Sequence, residues 1–381
     1  MKNTVMYISR RFETNICATV HLQAMKKLYK DKLIVIDLRT EGNFSDQNNL
    51  LKMGAMTYQE KIFRTLQLNT WYLTEKRIKL ICDKICNCGV CKVFIDESCF
   101  GKLVKRIKEQ FPKVKVITFY HDIGRVLYPQ WLKNRGAKYL PDFLGSIYGE
   151  YLNQRYADGN YVLNHRDERE FMKAYHKNPS GLLPMAVADP DFETVEAKEF
   201  DFKKKDDVLY ILFVGSKYYP NIVGLRWFVD NVFLNLEKKY KLLVIGRGME
   251  EFREEYSHIA NICIIGGVEK LAPYYNNADI VVAPIFEGGG MKQKTAEALA
   301  YGKVFIGTSE SMYGYEEACD IRSDGKQVVF SCDDKDGQIS AIKQIEKTGI
   351  AGKRFEELTT LFENKYSEKA ICRSLTEIFD V

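Results

Sequence analysis

Residues 278–308 read ADIVVAPIFEGGGMKQKTAEALAYGKVFIGT: a short β-branched apolar run, a glycine-rich turn, a helix-forming stretch and a second apolar run. This strand, turn, helix, strand grammar is the repeating unit of a parallel sheet and decides the α/β class. Gly288, Gly289 and Gly290 let the backbone approach a ligand closely. A helix beginning near Met291 points unpaired N–H groups and its positive dipole end at the same spot. Lys292 and Lys294 add two cations at that mouth. Glu297, one turn further in, suits a sugar or ribose hydroxyl and would repel an adjacent phosphate. A nucleoside diphosphate sugar is the ligand class that satisfies both parts of the arrangement.

Working outward, the same grammar fills the chain. Strands are predicted at Thr4 to Ser9, Lys32 to Leu38, Val90 to Asp96, Val114 to Phe119 and Tyr161 to Leu163. Between them, apolar residues recur at three and four over Cys17 to Tyr29, Trp71 to Cys86, Phe100 to Gln110, Asp142 to Tyr156 and Asp167 to Tyr175, predicting helices. Then 186–207 carries Pro190, eight acidic residues and no sustained period, as a linker would. Strands resume at Val208 to Val214, Tyr240 to Ile245, Ile262 to Ile265, Asp279 to Pro284, Val304 to Gly307 and Gln327 to Phe330. Helices are predicted at Gly337 to Lys347, Arg354 to Tyr366 and Ser367 to Phe379. The expected organisation is a Rossmann-like domain over 1–190, a linker over 191–207, a second Rossmann-like domain over 208–365, and a terminal helix over 366–381 packing back on the first domain. Both sheets bind ligands at their carboxyl edges in such folds, so the two domains are expected to face one central cleft.

Composition sets the outer bounds. The 381 residues, 46% hydrophobic and 28% charged, belong to a folded soluble chain of about two domains at roughly 150 residues each. No apolar run approaches the roughly 18 residues of a membrane span, and the first residues lack the pattern of an export signal. Ten cysteines in such a chain point to a reducing, cytoplasmic location and to free thiols. Cys88 and Cys91 have the spacing of a zinc half-site, but Cys82, Cys86, Cys91 and Cys99 occupy core-packing positions of predicted helices and a strand, so no metal is expected. Asp189-Pro190-Asp191 is read as a turn rather than a cation site. Residues 1–190 carry 31 Lys+Arg against 19 Asp+Glu, and 191–381 carry 25 against 32. The basic first half therefore faces an anionic partner: lipid headgroups, a phosphorylated acceptor or nucleic acid.

The Gly-rich turn, basic helix start and Glu297-Ala298-Leu299-Ala300-Tyr301-Gly302 resemble the donor-binding segment of retaining glycosyltransferases of the GT-B fold, family-4-like, also described as glycosyl transferases group 1. Phe213-Val214-Gly215-Ser216 with Tyr219-Pro220-Asn221, Val244-Ile245-Gly246-Arg247-Gly248, and Gly266-Gly267-Val268 fall in that family's order. The resemblance implies GT-B architecture, with an acceptor-binding first domain and a donor-binding second domain. It implies transfer of a sugar from a nucleotide-diphosphate sugar to a hydroxyl of a glycan or lipid-linked acceptor, with retention, without a metal or other cofactor and without nucleic acid. Cell-surface polysaccharide or glycoconjugate assembly at the inner face of an anionic membrane is the corresponding setting.

The donor residues it implies are Gly215, Ser216, Lys217, Arg247, Gly267, Val268, Gly288, Gly289, Gly290, Met291, Lys292, Lys294 and Thr295. The catalytic ones are His121, at the end of a first-domain strand where the family places a histidine against the transferred sugar, and Glu297. Many relatives place a second glutamate eight positions earlier, where this chain has Gly289; Glu287, two residues further upstream, is the substitute. Arg10, Arg11, Asp122 and Arg166 are the acceptor-side candidates, the two arginines standing where many relatives have glycines. Two other classes remain open: a nucleotide-sugar epimerase of similar architecture, and a nucleotide-sugar-binding module without turnover.

Overall fold

The computed structural model describes all residues except 1–3, 11–14, 40–42, 68, 70–71, 191–201, 203–207, 289 and 381. The chain divides into two units, Met1–Ala186 with Glu368–Val381, and Val187–Ser367. Most of the expected linker lies outside the described residues.

The first unit runs β1 (Thr4–Ser9), α1 (Ile16–Tyr29), β2 (Leu33–Asp37), β3 (Ser45–Gln47), β4 (Leu50–Lys52), α2 (Tyr58–Leu66), α3 (Glu75–Cys88) and β5 (Val90–Ile95). It continues through α4 (Gly101–Gln110), β6 (Lys115–Tyr120), α5 (Gly124–Arg135), α6 (Leu140–Tyr156), β7 (Gly159–Val162), α7 (His165–Tyr175) and β8 (Gly181–Leu182). Its eight strands lie in the order β3-β4-β2-β1-β5-β6-β7-β8. All neighbours are parallel except β3 and β4, which form a hairpin. Strand order reverses between β1 and β5, and this is where a doubly wound sheet opens a crevice at its carboxyl edge.

Four features of this unit escape the periodicity reading: the β3–β4 hairpin, α2, α5 and β8. Each has a physical reason. The hairpin strands are three residues long, α2 leaves Tyr58, Ile62 and Phe63 exposed, α5 contains Pro129, and β8 is two residues long.

Because all-parallel sheets are covered on both faces, the central strands are continuous apolar runs, with Val5 to Ile8 and Val93 to Ile95 fully buried. α4 and α6 approach through glycines: a Cβ on Gly101 would lie 1.8 Å from the Gly149 carbonyl oxygen, and one on Gly149 would lie 2.3 Å from that of Cys99. This crossing seats α6 directly behind the ends of β5 and β6.

The second unit contains β9 (Leu209–Val214), α8 (Tyr219–Asn231), β10 (Tyr240–Ile245), α9 (Arg253–Tyr256), β11 (Ile262–Gly266), α10 (Ala272–Asn277) and β12 (Ile280–Ala283). There follow α11 (Gln293–Ala300), β13 (Phe305–Gly307), the small hairpin β14 (Arg322–Ser323) and β15 (Lys326–Gln327), β16 (Val329–Ser331), α12 (Lys335–Lys347) and α13 (Glu356–Lys365). The six parallel strands are ordered β11-β10-β9-β12-β13-β16, with the reversal between β9 and β12. The single strand expected over Gln327 to Phe330 is two: its start pairs in the hairpin and its end joins the main sheet.

The last helix, α14 (Glu368–Asp380), belongs to the first unit. It packs on α1 through Tyr29 and Phe379, edge to face at 6.1 Å, with Lys27 and Glu368 paired at 2.8 Å.

The glycine crossing generates a prediction. Gly149→Val forces α6 away from α4 and should cost about 1–3 kcal/mol or more of stability, read as a lowered midpoint in urea unfolding; an unchanged midpoint would refute the close approach.

Candidate functional site

In the second unit the carboxyl ends of three adjacent strands are stitched by backbone. The Gly215 amide donates to the Ile245 carbonyl and the Gly246 amide to that of Gly266, each at 2.8 Å. A Cβ on Gly246 (φ 155°) would lie 2.0 Å from the Gly215 oxygen, so only glycine lets the turns after β9 and β10 meet. Across the switch point, α11 begins at Gln293, two residues later than Met291, behind the loop that holds Gly288 and Gly290. Gly289 lies outside the described residues. Lys292 takes the N-cap position without a side-chain cap, so the first amides of α11 have no acceptor within the helix.

Lys294 closes this corner. Its ammonium donates to Asn221 Oδ1 at 2.7 Å, and Asn221 Nδ2 donates to the Ser216 carbonyl at 2.9 Å, joining α11 to the turn after β9. The same ammonium lies 4.8 Å from the centre of the Phe213 ring, and a Cβ on Gly215 would fall 2.9 Å from it. Desolvation pulls its pKa down to about 7; Glu297 raises it and Lys292 lowers it. A desolvated ammonium thus lies next to the start of α11, the end of a helix that favours negative charge.

The other donor-side candidates differ from one another. Lys292 is spent on Glu310 Oε1 at 2.7 Å and the Gly290 carbonyl at 3.0 Å, so it braces the loop instead of standing at the mouth as a bare cation. Thr295 is fully buried, its hydroxyl donating to the Ser311 carbonyl at 2.8 Å, and Met291 is buried against Gly314. The side chains of these two pack within the loop and helix. Lys217 pairs at 2.5 Å with Glu251 on the surface. Arg247, Gly267 and Glu287 are exposed, with Val268 half-buried, at the carboxyl edge.

Glu297 accepts from the Tyr275 hydroxyl at 2.9 Å and from Gln293 Nε2 at 2.6 Å. Tyr275 is stacked on Tyr301, centroids 4.6 Å apart. Burial raises the Glu297 pKa, while the Tyr275 and Gln293 hydrogen bonds and Lys294 oppose the rise. Asn221 lay inside a stretch that resembles the family, but nothing in the sequence paired it with Lys294; Glu310 carried no motif signal at all.

The first unit places His121 just beyond β6, buried, with Nε2 2.8 Å from Asp96 Oδ1. Asp96 follows β5 and is itself fully buried. It accepts the Tyr7 hydroxyl, and His21 Nδ1 lies 3.3 Å from Oδ1. Cys17, one turn before His21 on α1, has its sulfur 3.6 Å from His21 Nε2. Burial works against every charge here, yet the two histidines hold the Asp96 carboxyl well below its usual range. Burial pushes the His21 imidazole down, but Cys17 and Asp96 carry it up to about 10. Burial likewise pushes the Cys17 thiol up, and His21 and His121 bring it to about 7.

Sequence reading found His121 alone of this cluster. The Cys17–His21 spacing of four on a helix and an aspartate ending a neighbouring strand were the available signals.

The segment carrying His121 is fixed from below. The Gly124 amide donates to Glu150 Oε1 at 2.9 Å, Ser98 Oγ lies 3.4 Å from the Asp122 carbonyl, and Asn153 holds the Ser98 carbonyl. The buried carboxylate of α6 thus receives the first amide of α5. Arg10 is ion-paired to Glu97 at 3.0 Å with its side chain only 17% exposed, so it is committed within the unit rather than presented to headgroups. Arg11 lies outside the described residues. Arg166 sits 4.0 Å from Asp167 at the start of α7, where Asn164 is the N-cap. Among the described residues no group of three or more His, Cys, Asp or Glu side chains is placed to hold a metal ion, and no helix is long and apolar enough to cross a membrane.

Against known proteins, residues 209–347 match the family described as glycosyl transferases group 1. No curated protein matches the chain in sequence. Among solved structures, a glycosyltransferase from Rickettsia africae ESF-5 superposes with a TM-score of 0.70 at 13% identity, covering 99% of this chain and 97% of that one. Anabaena Alr3699/HepE, crystallised in complex with UDP, gives 0.68 at 9% identity over 99% of both chains. The lipopolysaccharide outer core galactosyltransferase WaaB gives 0.66 at 11% identity over 99% of both. The chain therefore has the GT-B fold, and over most of its second unit it resembles the glycosyl transferases group 1.

Proposed function

We propose that the chain is a glycosyltransferase that moves a sugar from a nucleotide-diphosphate donor to a hydroxyl of a glycan or lipid-linked acceptor, with retention and without a metal. The observation that carries this reading is the Lys294 ammonium, tied by Asn221 beside Gly215 and the uncapped start of α11, inside the segment that matches the group 1 family. Fixed donors aimed at the bridging and terminal oxygens of a diphosphate stabilise the charge that develops on it as the glycosidic bond breaks, which is work a cation cofactor would otherwise do.

In this reading the Gly215 and Ser216 turn and the Gly288 to Gly290 loop close on the diphosphate. Gly267 and Val268 meet the base through main-chain groups, with Arg247 at the rim. Glu297, held by Tyr275 and Gln293, accepts hydroxyls of the ribose or sugar, and Glu287 reaches the sugar from the loop. His121 contacts the transferred sugar. Asp96 is a positioning residue behind it: its buried carboxylate fixes the ring and favours a proton on the nitrogen that faces Asp96. Asp122 and Arg166 serve the acceptor side, and the setting is assembly of a cell-surface polysaccharide or glycoconjugate.

Incubation with UDP-, GDP- and ADP-hexoses plus an acceptor should release free nucleotide. An isomerised donor would instead favour the epimerase, and binding without turnover the module. Glu297→Ala and His121→Ala should each lower turnover by about a hundredfold or more in a chain that still folds, with the His121 variant less stable because Asp96 loses a partner; near-normal rates in both would remove the assignment.

Asp96→Asn should lower kcat and move the pH profile of kcat while donor affinity stays within about threefold. A loss confined to stability, with the profile unmoved, would mark Asp96 as structural.

The Lys294 pKa of about 7 gives a pH signature. Below that pH the lysine is already charged; above it the free protein has lost the proton, and a bound diphosphate restores it. UDP binding should therefore take up a proton on the alkaline side, and affinity should fall as pH rises. Calorimetry in buffers of different ionisation enthalpy measures this uptake, and Lys294→Gln should abolish it. No uptake by the native chain would contradict the assignment.

A further inference from the structure

A second, basic concavity lies within the first unit, on the side of α6 and α7. It is a groove of about 770 Å³ whose rim carries Arg125, Arg155 and Lys177 and whose walls include Leu144, Tyr148 and Tyr151; no carboxylate lines it. The cations are held in place by backbone and ring contacts. Arg125 donates to the Ala174 carbonyl, Lys177 Nζ donates to the Gln154 carbonyl at 3.2 Å, and the Arg155 guanidinium lies 5.7 Å from the Tyr156 ring centre. Of the acids of α6, Asp142 pairs with Arg64 at 3.3 Å, and Glu150 is buried behind the groove wall, where Tyr175 and the Gly124 amide donate to it. The surface that the groove presents therefore carries cations and no exposed acid.

The walls continue as a stripe. Leu140, Leu144, Tyr148 and Tyr151 recur at spacings of four, four and three on α6, and all are exposed, Tyr151 by 53% and Leu144 by 46%. The opposite face of the helix buries Gly145, Gly149 and Leu152, so the stripe is surplus to the core. Leucines and tyrosines side by side with arginine and lysine are the composition of a surface that lies in the headgroup layer: the rings and aliphatic tips enter the acyl boundary while the cations remain with the phosphates. A soluble polyanion would complement the three cations but leave the exposed apolar stripe unused.

We propose that this groove and stripe dock the first unit on an anionic lipid surface, the headgroup phosphates seated between Arg125, Arg155 and Lys177. This deepens the membrane-side reading, moving it from Arg10, which is committed to Glu97, to α6. It requires neither donor nor turnover, so its test fails or succeeds separately from the transfer reaction.

The test is sedimentation with vesicles of phosphatidylcholine, alone or mixed with phosphatidylglycerol, in the absence of nucleotide. The native chain should bind the mixed vesicles and not the neutral ones. Arg155→Gln with Lys177→Gln should weaken binding about 25-fold, from roughly fivefold for each cation near the surface. Lys343→Gln with Lys347→Gln, exposed on α12 and equal in charge removed, should have little effect. Leu144→Ser with Tyr151→Ser should abolish the part of the binding that survives high salt. The proposal is overturned if mixed and neutral vesicles bind alike, if the groove pair loses no more than the α12 pair, if the serine pair keeps its salt-resistant binding, or if dextran sulfate binds while vesicles do not.

Discussion

A lysine ammonium withdrawn from water must be given something in exchange, and at Lys294 the protein supplies only part of it: one amide oxygen from Asn221 and the face of Phe213. Desolvation outweighs these, so the charged form is held at a cost that an anion would relieve. Everything around it preserves that incompleteness. Glu297 on α11 supports the charge but is shared with Tyr275 and Gln293, and Glu310 is taken up by Lys292. The glycines after β9 and β10 bring backbone to the same corner, where a side chain would fill the space. The second sheet has its switch point, between β9 and β12, beside this lysine.

The first unit uses the opposite strategy. Asp96 is over-supplied, with Tyr7, His21 and His121 all directed at one carboxylate. A buried anion with that many partners does not need a ligand; it immobilises the groups that hold it. His121 is consequently fixed at one end of its ring by Asp96, and its chain segment is fixed by Glu150 through Gly124. Rigid presentation of one imidazole at the carboxyl edge is what such a network achieves.

The sequence made the periodic parts legible. Strand runs such as Val208 to Val214 and helices such as Cys17 to Tyr29 were found because burial on a sheet or along a helix face imposes a period. Gly288 and Gly290, both at positive φ, stood out because glycine between a strand and a helix carries a specific backbone meaning. What escaped depends on pairs far apart in the chain. Asp96 with His21 and His121, Glu150 with Gly124, and Asn221 with Lys294 are contacts that no local period encodes. The same reason explains the unforeseen partners of Lys292 and Thr295: only the fold brings Glu310 and the Ser311 carbonyl to them. Arg10 was read from charge, and the fold places Glu97 beside it. The basic excess of the first half has a more specific meaning in three dimensions, where cations gather at a groove on α6 and α7 that contains no acid.

The account rests on a diphosphate occupying the corner between Gly215, Lys294 and the first turn of α11. A crystal structure with UDP, GDP or ADP bound measures this directly. The account predicts diphosphate oxygens within hydrogen-bonding reach of the Lys294 ammonium and of the backbone amides at Gly215 or Ser216. A nucleotide bound elsewhere, with that corner vacant or Lys294 still tied to Asn221 alone, would contradict it.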